Sequence, residues 1–163
     1  MEDIDLFWSF VGLFTKESID VVCVEDRIFA DQAGILQKSN TDFFWGGLYL
    51  GSIGKDTFTP SFCLLSWLGT VSDERVVVND IGEVEFLFGK HLRKRHVEEI
   101  FGGREVGSWK LVQNDASDIL GLGRLVQREK SSRCLQHVMD RGVFLKWDQG
   151  KASPTSLVRG KHL

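Results

Sequence analysis

The residues best suited to chemistry in this chain lie in a cationic run near the middle of the sequence. Lys90, Arg93, Lys94 and Arg95 supply four positive charges, and His96 follows them directly. Each cation that neutralises a phosphate releases condensed counterions, so this density of charge favours binding to a phosphate backbone. A charge run is also typical of a solvated loop, and these residues alone leave that alternative open. We call residues 90–96 the cationic loop.

More cations follow a glycine-containing segment further along the chain. Gly121-Leu-Gly123 has the start of a dinucleotide-binding turn, but Val126 stands where that turn needs its third glycine. We therefore predict that these glycines let a strand bend or let another segment of backbone approach closely. The predicted binding set comprises the basic side chains of the loop and those downstream: Lys90, Arg93, Lys94, Arg95, His96, Arg124, Arg128, Lys130 and Arg133.

Motifs for catalysis are missing from the sequence. It has no Gly-x-x-x-x-Gly-Lys-Ser/Thr phosphate loop, no Gly-x-Ser-x-Gly nucleophile turn and no His-Glu-x-x-His metal motif. The glycine-rich loop with which methyltransferases hold their methionine-derived cofactor is missing too. We therefore predict a protein that is not an enzyme and that needs no cofactor.

Histidine and cysteine spacing gives no metal site. His91 and His96 lie five residues apart without further recognisable ligands, which favours a turn hydrogen bond or a phosphate contact. Cys23, Cys63 and Cys134 are widely separated and odd in number, so neither a disulfide framework nor a zinc knuckle is indicated. We expect them to be buried, reduced thiols.

Charge is distributed unevenly along the chain. Of the 163 residues, 42% are hydrophobic and 26% are charged, a balance typical of a folded globular protein, and the net charge is -3. Residues 1–82 carry 5 cations and 13 anions, whereas residues 83–163 carry 15 cations and 10 anions. A basic half joined to an acidic half can orient the molecule on a polyanion and limit non-specific attachment.

The first part of the chain has the pattern of mixed short helices and strands. Apolar residues at spacings of three and four from Ile4 to Phe14 predict an amphipathic helix. Thr59 and Pro60 fit the N-cap and first position of another helix, which we expect to end by Gly69. Between these helices we predict strands at 21–24, 27–30 and 47–51 and a short helix at 31–37.

After a polar turn at 71–74 the pattern changes to β structure. Strands are predicted at 75–78, 97–101, 109–112, 120–126 and 143–145, with a helical turn at 83–88. Closing such strands into a barrel removes exposed edges that promote aggregation. Trp109 begins one strand, and we place it in the core rather than on a base-stacking surface. The predicted fold class is α+β: an N-terminal α/β domain at 1–73, a β pseudobarrel at 74–147 and a flexible tail at 148–163.

The N-terminal segment favours a cytoplasmic protein. Residues 1–5 are mostly acidic, unlike the positively charged start of a signal peptide. The apolar run at 6–14 is interrupted by Ser9 and Gly12 and is too short for a membrane span. We therefore expect a cytoplasmic protein without a membrane partner.

Several segments follow one another in a recognisable order. In the second half they are Arg75-Val-Val-Val-Asn-Asp-Ile-Gly82, Glu83-Val-Glu-Phe-Leu-Phe-Gly-Lys-His91 and Asp118-Ile-Leu-Gly-Leu-Gly-Arg124. Their order resembles that of a PUA domain, the RNA-binding pseudobarrel named after pseudouridine synthases and archaeosine transglycosylases. Upstream, Trp45-Gly-Gly-Leu-Tyr-Leu-Gly51 and Phe58-Thr-Pro-Ser-Phe-Cys-Leu-Leu-Ser-Trp67 are similar to the N-terminal α/β domain of Nip-seven type ribosome biogenesis factors.

The resemblance implies non-catalytic binding to RNA during maturation of large-subunit ribosomal RNA. Archaeal and eukaryotic proteins of this type also contact other ribosome assembly proteins, which would make the acidic N-terminal half a protein-facing surface. The expected partners are therefore RNA and ribosome assembly proteins. The RNA is expected to be ribosomal and either uridine-rich or structured. A eukaryotic source would place the protein in the nucleolus.

One segment departs from the pattern of these relatives. They tend to carry a basic cluster near a C-terminal helix, but the matching stretch here, residues 131–139, begins with two serines and keeps Arg133. We therefore expect RNA contacts to shift toward the cationic loop and toward Arg124, Arg128 and Lys130. An alternative also stays open, in which the acidic half docks a basic partner and the barrel serves only as a scaffold.

Overall fold

The computed structural model describes residues 3–31, 47–126 and 133–142. The chain forms two compact units, with the boundary between Trp67 and Leu68. The predicted domain ranges 1–73 and 74–147 stay predictions. The predicted tail at 148–163, the predicted strand at 143–145 and all but the first residue of the predicted helix at 31–37 lie outside the described residues.

The first unit packs one helix on an antiparallel sheet. Its elements are α1 (Asp3–Val11), β1 (Val21–Val24), β2 (Arg27–Ala30), β3 (Leu48–Ile53) and β4 (Phe58–Pro60), and the four strands are hydrogen-bonded in that order. Phe7 and Phe10 on α1 are buried, with ring centroids each 5.4 Å from that of Phe58 in β4. The predicted amphipathic helix and the strands at 21–24 and 27–30 are confirmed.

Helix α2 (Phe62–Val71) starts and ends later than predicted. The three residues that include Thr59 pair with β3 as strand β4, so Thr59 is not a helix cap. Ser61 caps the helix instead, because its Oγ accepts a hydrogen bond from the Leu64 N–H at 3.1 Å. The predicted start at Thr59 and the predicted end by Gly69 are both wrong.

The second unit is a nearly closed, six-stranded pseudobarrel with one helix. Its elements after α2 are β5 (Arg75–Val78), α3 (Asp80–Leu87), β6 (Leu92–Arg93), β7 (Val97–Ile100), β8 (Trp109–Gln113), β9 (Ile119–Leu125) and β10 (Arg133–Asp140). The strand order is β6-β10-β9-β8-β5-β7, in which only the pair of β5 and β8 is parallel among the described strands. The core is apolar and includes Val76, Val78, Phe86, Leu92, Val112, Leu120, Leu125 and Leu135. The predicted α+β class with a pseudobarrel is confirmed.

The two terminal strands of this sheet are consecutive in sequence. Strands β6 and β7 are joined by a single 3-10 turn, Lys94–His96. The Asn79 N–H, at the end of β5, donates a hydrogen bond to the His96 carbonyl at 3.1 Å. The cationic loop therefore crosses the seam where the sheet nearly closes, and formation of the barrel fixes its position.

Two elements of the second unit differ from the predictions. The predicted turn at 83–88 is an eight-residue helix that begins at Asp80. The stretch at 133–140, which the resemblance to relatives associates with a helix, is strand β10 paired with both β6 and β9. A register shift between His137 and Met139 breaks the alternation of inward and outward residues, so the sequence lacks a regular strand pattern there.

Gly121 confirms the prediction of close backbone approach. A Cβ at this position would collide with the carbonyl oxygen of Met139 in the neighbouring strand β10. Strand β9 has a register shift against each neighbouring strand, and the two shifts lie on either side of this glycine. One falls between Val112 and Gln113 on β8. The other falls between His137 and Met139 on β10. Glycine is therefore required where the barrel wall bends.

The cysteines depart from the expected burial. Cys23 and Cys63 are exposed and Cys134 is half-buried, so the prediction of buried thiols is wrong. Partial burial raises the pKa of the Cys134 thiol. Within the described segments no helix is long and apolar enough to cross a membrane. Over the same segments no three His, Cys, Asp or Glu side chains are grouped to hold a metal ion.

Candidate nucleic-acid interface

A Schellman motif at the end of α3 opens the cationic loop. Phe88 is the C-cap, the Gly89 N–H donates to the Phe86 carbonyl at 2.8 Å, and the Lys90 N–H donates to the Glu85 carbonyl at 3.0 Å. Gly89 has a φ of 76°, in the left-handed region that glycine adopts without a Cβ penalty. The motif reverses the chain, so Lys90 Nζ returns to 3.9 Å from Glu85 Oε1.

The start of α3 is fixed against the 3-10 turn of the same loop. Asn79 Oδ1 accepts a hydrogen bond from the Gly82 N–H at 2.9 Å, and its Nδ2 donates to the Arg95 carbonyl at 3.0 Å. A Cβ on Gly82 would lie 2.7 Å from the His96 carbonyl oxygen, so only glycine lets the helix approach this closely. Both ends of α3 therefore hold the cationic loop.

His96 supports the loop from below its surface. The residue is 2% exposed, its Nε2 accepts a hydrogen bond from Arg95 Nε at 3.0 Å, and its Nδ1 lies 3.2 Å from Glu85 Oε2 outside hydrogen-bond geometry. We assign the ring proton to Nδ1 because Nε2 acts as the acceptor. The ring holds Arg95 in place and does not itself present a surface to a ligand.

These elements surround an open pocket of about 360 Å³ at the C-terminal end of α3. Its lining residues are Glu85, Gly89, Lys90, His91, Arg93 and Arg95. Three cations thus surround a single carboxylate, which leaves the lining with a net positive charge. Carbonyl groups at a helix C-terminus carry partial negative charge, so the side chains and not the helix supply the attraction for an anion.

Two cations of the loop keep their charge available to a ligand. Arg93 and Lys94 are both exposed, and the side chain of neither forms a hydrogen bond or ion pair within the described part of the chain. The Arg93 guanidinium carries five N–H donors in a planar fork that matches phosphate oxygens. Lys90, in contrast, already lies near Glu85, and His91 Nδ1 accepts a hydrogen bond from the His137 N–H at 3.0 Å.

The strand register relates the downstream arginines to the loop. Arg133 on β10 is the cross-strand partner of Arg93 on β6, so these two backbone positions are neighbours. Arg124 lies on β9, two strand spacings from β6, or about 10 Å. Its Nε donates to the Gly107 carbonyl at 2.7 Å and its guanidinium lies 5.5 Å from the centroid of the half-buried Trp109 ring. Arg124 is thus held on the side of β8, away from the loop.

The structure therefore brings together most of the predicted residues that it describes. Lys90, Arg93 and Arg95 share the pocket, Lys94 stands on the adjoining turn, and Arg133 joins them by register. His96 is buried beneath them and Arg124 is separate. The predicted residues Arg128 and Lys130 lie outside the described segments.

Phe88 is a feature of this surface that sequence reasoning missed. It is 79% exposed, and it continues an exposed apolar stripe on α3 formed by Ile81 at 64% and Val84 at 54%. The spacing of three and then four residues is the available signal, because it places all three on one helix face. Phe86 and Gly82 are buried on the other face. A helix with two apolar faces indicates that one of them meets something other than its own core.

The comparison with protein-family models gives a match to this barrel. Residues 74–148 match the model of the UPF0113 PUA domain. The barrel of the second unit is thus similar to a PUA domain. The match begins just before β5 and runs past β10, so it includes α3, the cationic loop and the pocket. The comparison with curated proteins gives no match to the chain.

Solved structures with the same fold include archaeal proteins. A conserved PUA domain protein from Thermoplasma acidophilum is 15% identical with a TM-score of 0.55, and the alignment covers 86% of this chain and 90% of that one. A hypothetical protein from the hyperthermophilic archaeon Pyrococcus horikoshii OT3 is 14% identical with a TM-score of 0.50, over 88% of this chain and 94% of that one. At these identities the similarity is one of fold.

Proposed function

We propose that this protein is a non-catalytic RNA-binding protein of ribosome biogenesis that acts in maturation of large-subunit ribosomal RNA. Its PUA domain holds RNA phosphates with the basic surface around the cationic loop. The observation that carries the proposal is the pocket in which Lys90, Arg93 and Arg95 surround one carboxylate. PUA domains generally bind RNA, which agrees with this chemistry.

Arg93 is the central phosphate ligand of this proposal. Its guanidinium lines the pocket and has no competing protein partner among the described residues, so a phosphate can take its paired N–H donors. Arg95 is held by His96, which reduces the entropy that the side chain loses on binding. Lys94 and Arg133 belong to the same proposed RNA-binding set, together with Arg124, Arg128 and Lys130.

Glu85 sets the strength of this site. Its carboxylate lies in the pocket and offsets part of the positive charge of Lys90 and the neighbouring arginines. The negative charge of this carboxylate lowers the affinity of the site for any polyanion. The same carboxylate helps to hold the neighbouring cations in position. Moderate affinity suits a factor that binds RNA during assembly and then leaves it.

The test is a salt titration of RNA binding with two charge-matched variants. The triple variant Arg93→Ala/Lys94→Ala/Arg95→Ala removes the loop cations, and Lys16→Ala/Arg27→Ala/Lys55→Ala removes three exposed cations of the first unit. Affinity of the wild type should fall steeply between about 50 and 200 mM salt, and the loop variant should lose about 2 units of the log–log salt slope, since each phosphate contact contributes about 0.7 on single strands. The control should retain the wild-type slope.

Ribosomal specificity is measured in the same assay. Fragments of large-subunit ribosomal RNA should bind more tightly than unrelated RNA of equal length, because shape and unpaired bases add to the phosphate contacts. A flat salt response, or equal binding by the loop variant and the wild type, would overturn the RNA-binding proposal. It would also leave the protein-adaptor alternative as the better account.

A further inference from the structure

The apolar stripe of α3 ends beside the phosphate pocket. Phe88 is the C-cap of the helix, and the next residue, Gly89, lines the pocket. The Schellman hydrogen bonds at 2.8 and 3.0 Å fix the backbone on both sides of this junction. The backbone that joins Phe88 to the pocket-lining Gly89 is therefore held in one conformation.

A role in packing the core does not explain the Phe88 ring. Phe86, two residues earlier, is 0% exposed and fills the barrel core, whereas Phe88 is 79% exposed. Exposure of a phenyl ring to water is unfavourable, and a lysine or glutamate would serve equally well as a solvated C-cap. The ring thus has no packing role that explains an aromatic residue at this position.

We propose that Phe88 is a stacking platform for an unpaired base of the RNA strand whose phosphate occupies the neighbouring pocket. The inference rests on the proposed function and adds its ligand class: a single-stranded or bulged nucleotide, not a regular duplex. Bases stack on an aromatic face whatever their identity, and they do so only when they are free of base pairing. The positive charge of the pocket favours a nucleotide over an apolar protein surface. A nucleotide supplies both an aromatic base for the ring and an anionic phosphate for the cations.

The stripe supplies its own control residue. Ile81 is 64% exposed, so a partner that docks on the apolar stripe could contact it. It lies seven residues before Phe88, or about 10 Å along the helix. A protein partner that covered the stripe would contact both residues. A base stacked beside the pocket contacts Phe88 alone.

The experiment measures anisotropy of a labelled single-stranded RNA and of the same strand with abasic ribose throughout. Phe88→Ala and Phe88→Leu should each weaken binding of the base-containing strand by about 5- to 100-fold and leave the salt slope unchanged, because stacking is lost and phosphate contacts remain. Binding of the abasic strand should be the same for both variants and the wild type. Ile81→Ala should bind both strands like the wild type.

The outcomes separate this inference from the proposed function. If the wild type binds neither strand, the proposed function fails. If the wild type binds RNA with a steep salt response while Phe88→Ala binds equally well, only the stacking inference is overturned. Full affinity of Phe88→Leu would overturn it as well, since leucine keeps the apolar surface without the aromatic face. Loss of binding in Ile81→Ala would assign the whole stripe to apolar docking and overturn it too.

Discussion

At the scale of single residues, Gly89 decides whether the cationic loop has its geometry. Its φ of 76° lies in the left-handed region, while open space surrounds the position of a Cβ. We expect Gly89→Ala to lose about 1–2 kcal/mol of unfolding free energy through backbone strain alone, without any steric clash. Gly89→Asn should lose less, because asparagine tolerates this conformation. Urea unfolding checks both values, and an alanine variant as stable as the wild type would contradict the assigned motif.

Another residue-scale effect concerns pH and involves Glu98 on β7, the strand that follows the cationic loop. A hydrogen bond with Asp115 and the negative charge of that residue raise the pKa of Glu98, on β7, above its ordinary value of 4.5. The folded state therefore binds this proton more tightly than the unfolded state does. The resulting stability is present below the unfolded pKa and is lost as pH rises through the raised folded pKa.

Glu98→Gln should remove this pH-dependent loss. We expect the variant to have a higher melting temperature than the wild type at about pH 7, because the amide removes the interaction that raises the pKa of Glu98, and a smaller difference at about pH 4. Glu99→Gln, on the adjacent and equally exposed position of β7, is the control for removal of one surface charge. If both variants have the same pH profile, the pairing of Glu98 with Asp115 does not exist in solution.

At the scale of elements, an ion pair between a buried lysine and a partly exposed glutamate joins three parts of the barrel wall. Lys110 on β8 is 0% exposed, and its Nζ contacts Glu74 Oε2 and donates to the Phe101 carbonyl at 2.7 Å. The Glu74 carboxylate also accepts the Gly103 N–H at 3.0 Å. The pair therefore links β8 to the residue before β5 and to the loop that follows β7. A buried ammonium tolerates this position only because its donors are satisfied.

Breaking this pair from either side should be strongly destabilising. We expect Lys110→Met to lose about 3 kcal/mol of unfolding free energy, because the carboxylate is left without its buried partner. Glu74→Gln should also be destabilising, because the buried ammonium loses its counter-charge. The double variant should lose clearly less than the sum of the two, which a double-mutant cycle of denaturant unfolding measures. Additive losses would show that the two side chains do not interact.

The same pair shows where prediction from sequence reaches its limit. Strand β5 was predictable because its consecutive valines are typical of a strand. The cationic loop was predictable because its charged residues are close together in sequence. Lys110 and Glu74 are 36 positions apart, so no local pattern relates them. Strand β6 has only two residues, and the bulge in β10 removes the alternation that defines a strand. The exposure of Phe88 depends on the turn after it, whereas sequence reasoning assigns an apolar residue to the core by default.

At the scale of the whole molecule, we expect the uneven distribution of charge to affect the proposed RNA binding. Residues 1–82 have 13 anions against 5 cations, and residues 83–163 have 15 cations against 10 anions. Repulsion of an RNA backbone by the acidic half reaches roughly one Debye length, about 8–10 Å near physiological salt and farther at low salt. We expect such repulsion to weaken binding of RNA that does not fit the proposed basic surface.

Neutralising the acidic half should therefore relax selectivity. The variant Glu17→Gln/Asp20→Asn/Glu25→Gln/Asp26→Asn changes exposed side chains of the first unit and leaves the cationic loop untouched. We expect its affinity for unrelated RNA to rise several-fold at about 50 mM salt and to approach that of the wild type at about 200 mM, where the charges are screened. Affinity for the preferred ribosomal fragment should rise less, so the ratio of the two falls at low salt. An equal ratio at both salt concentrations would mean that the acidic half has no electrostatic effect on RNA choice, and its charge would then need a protein partner as its explanation.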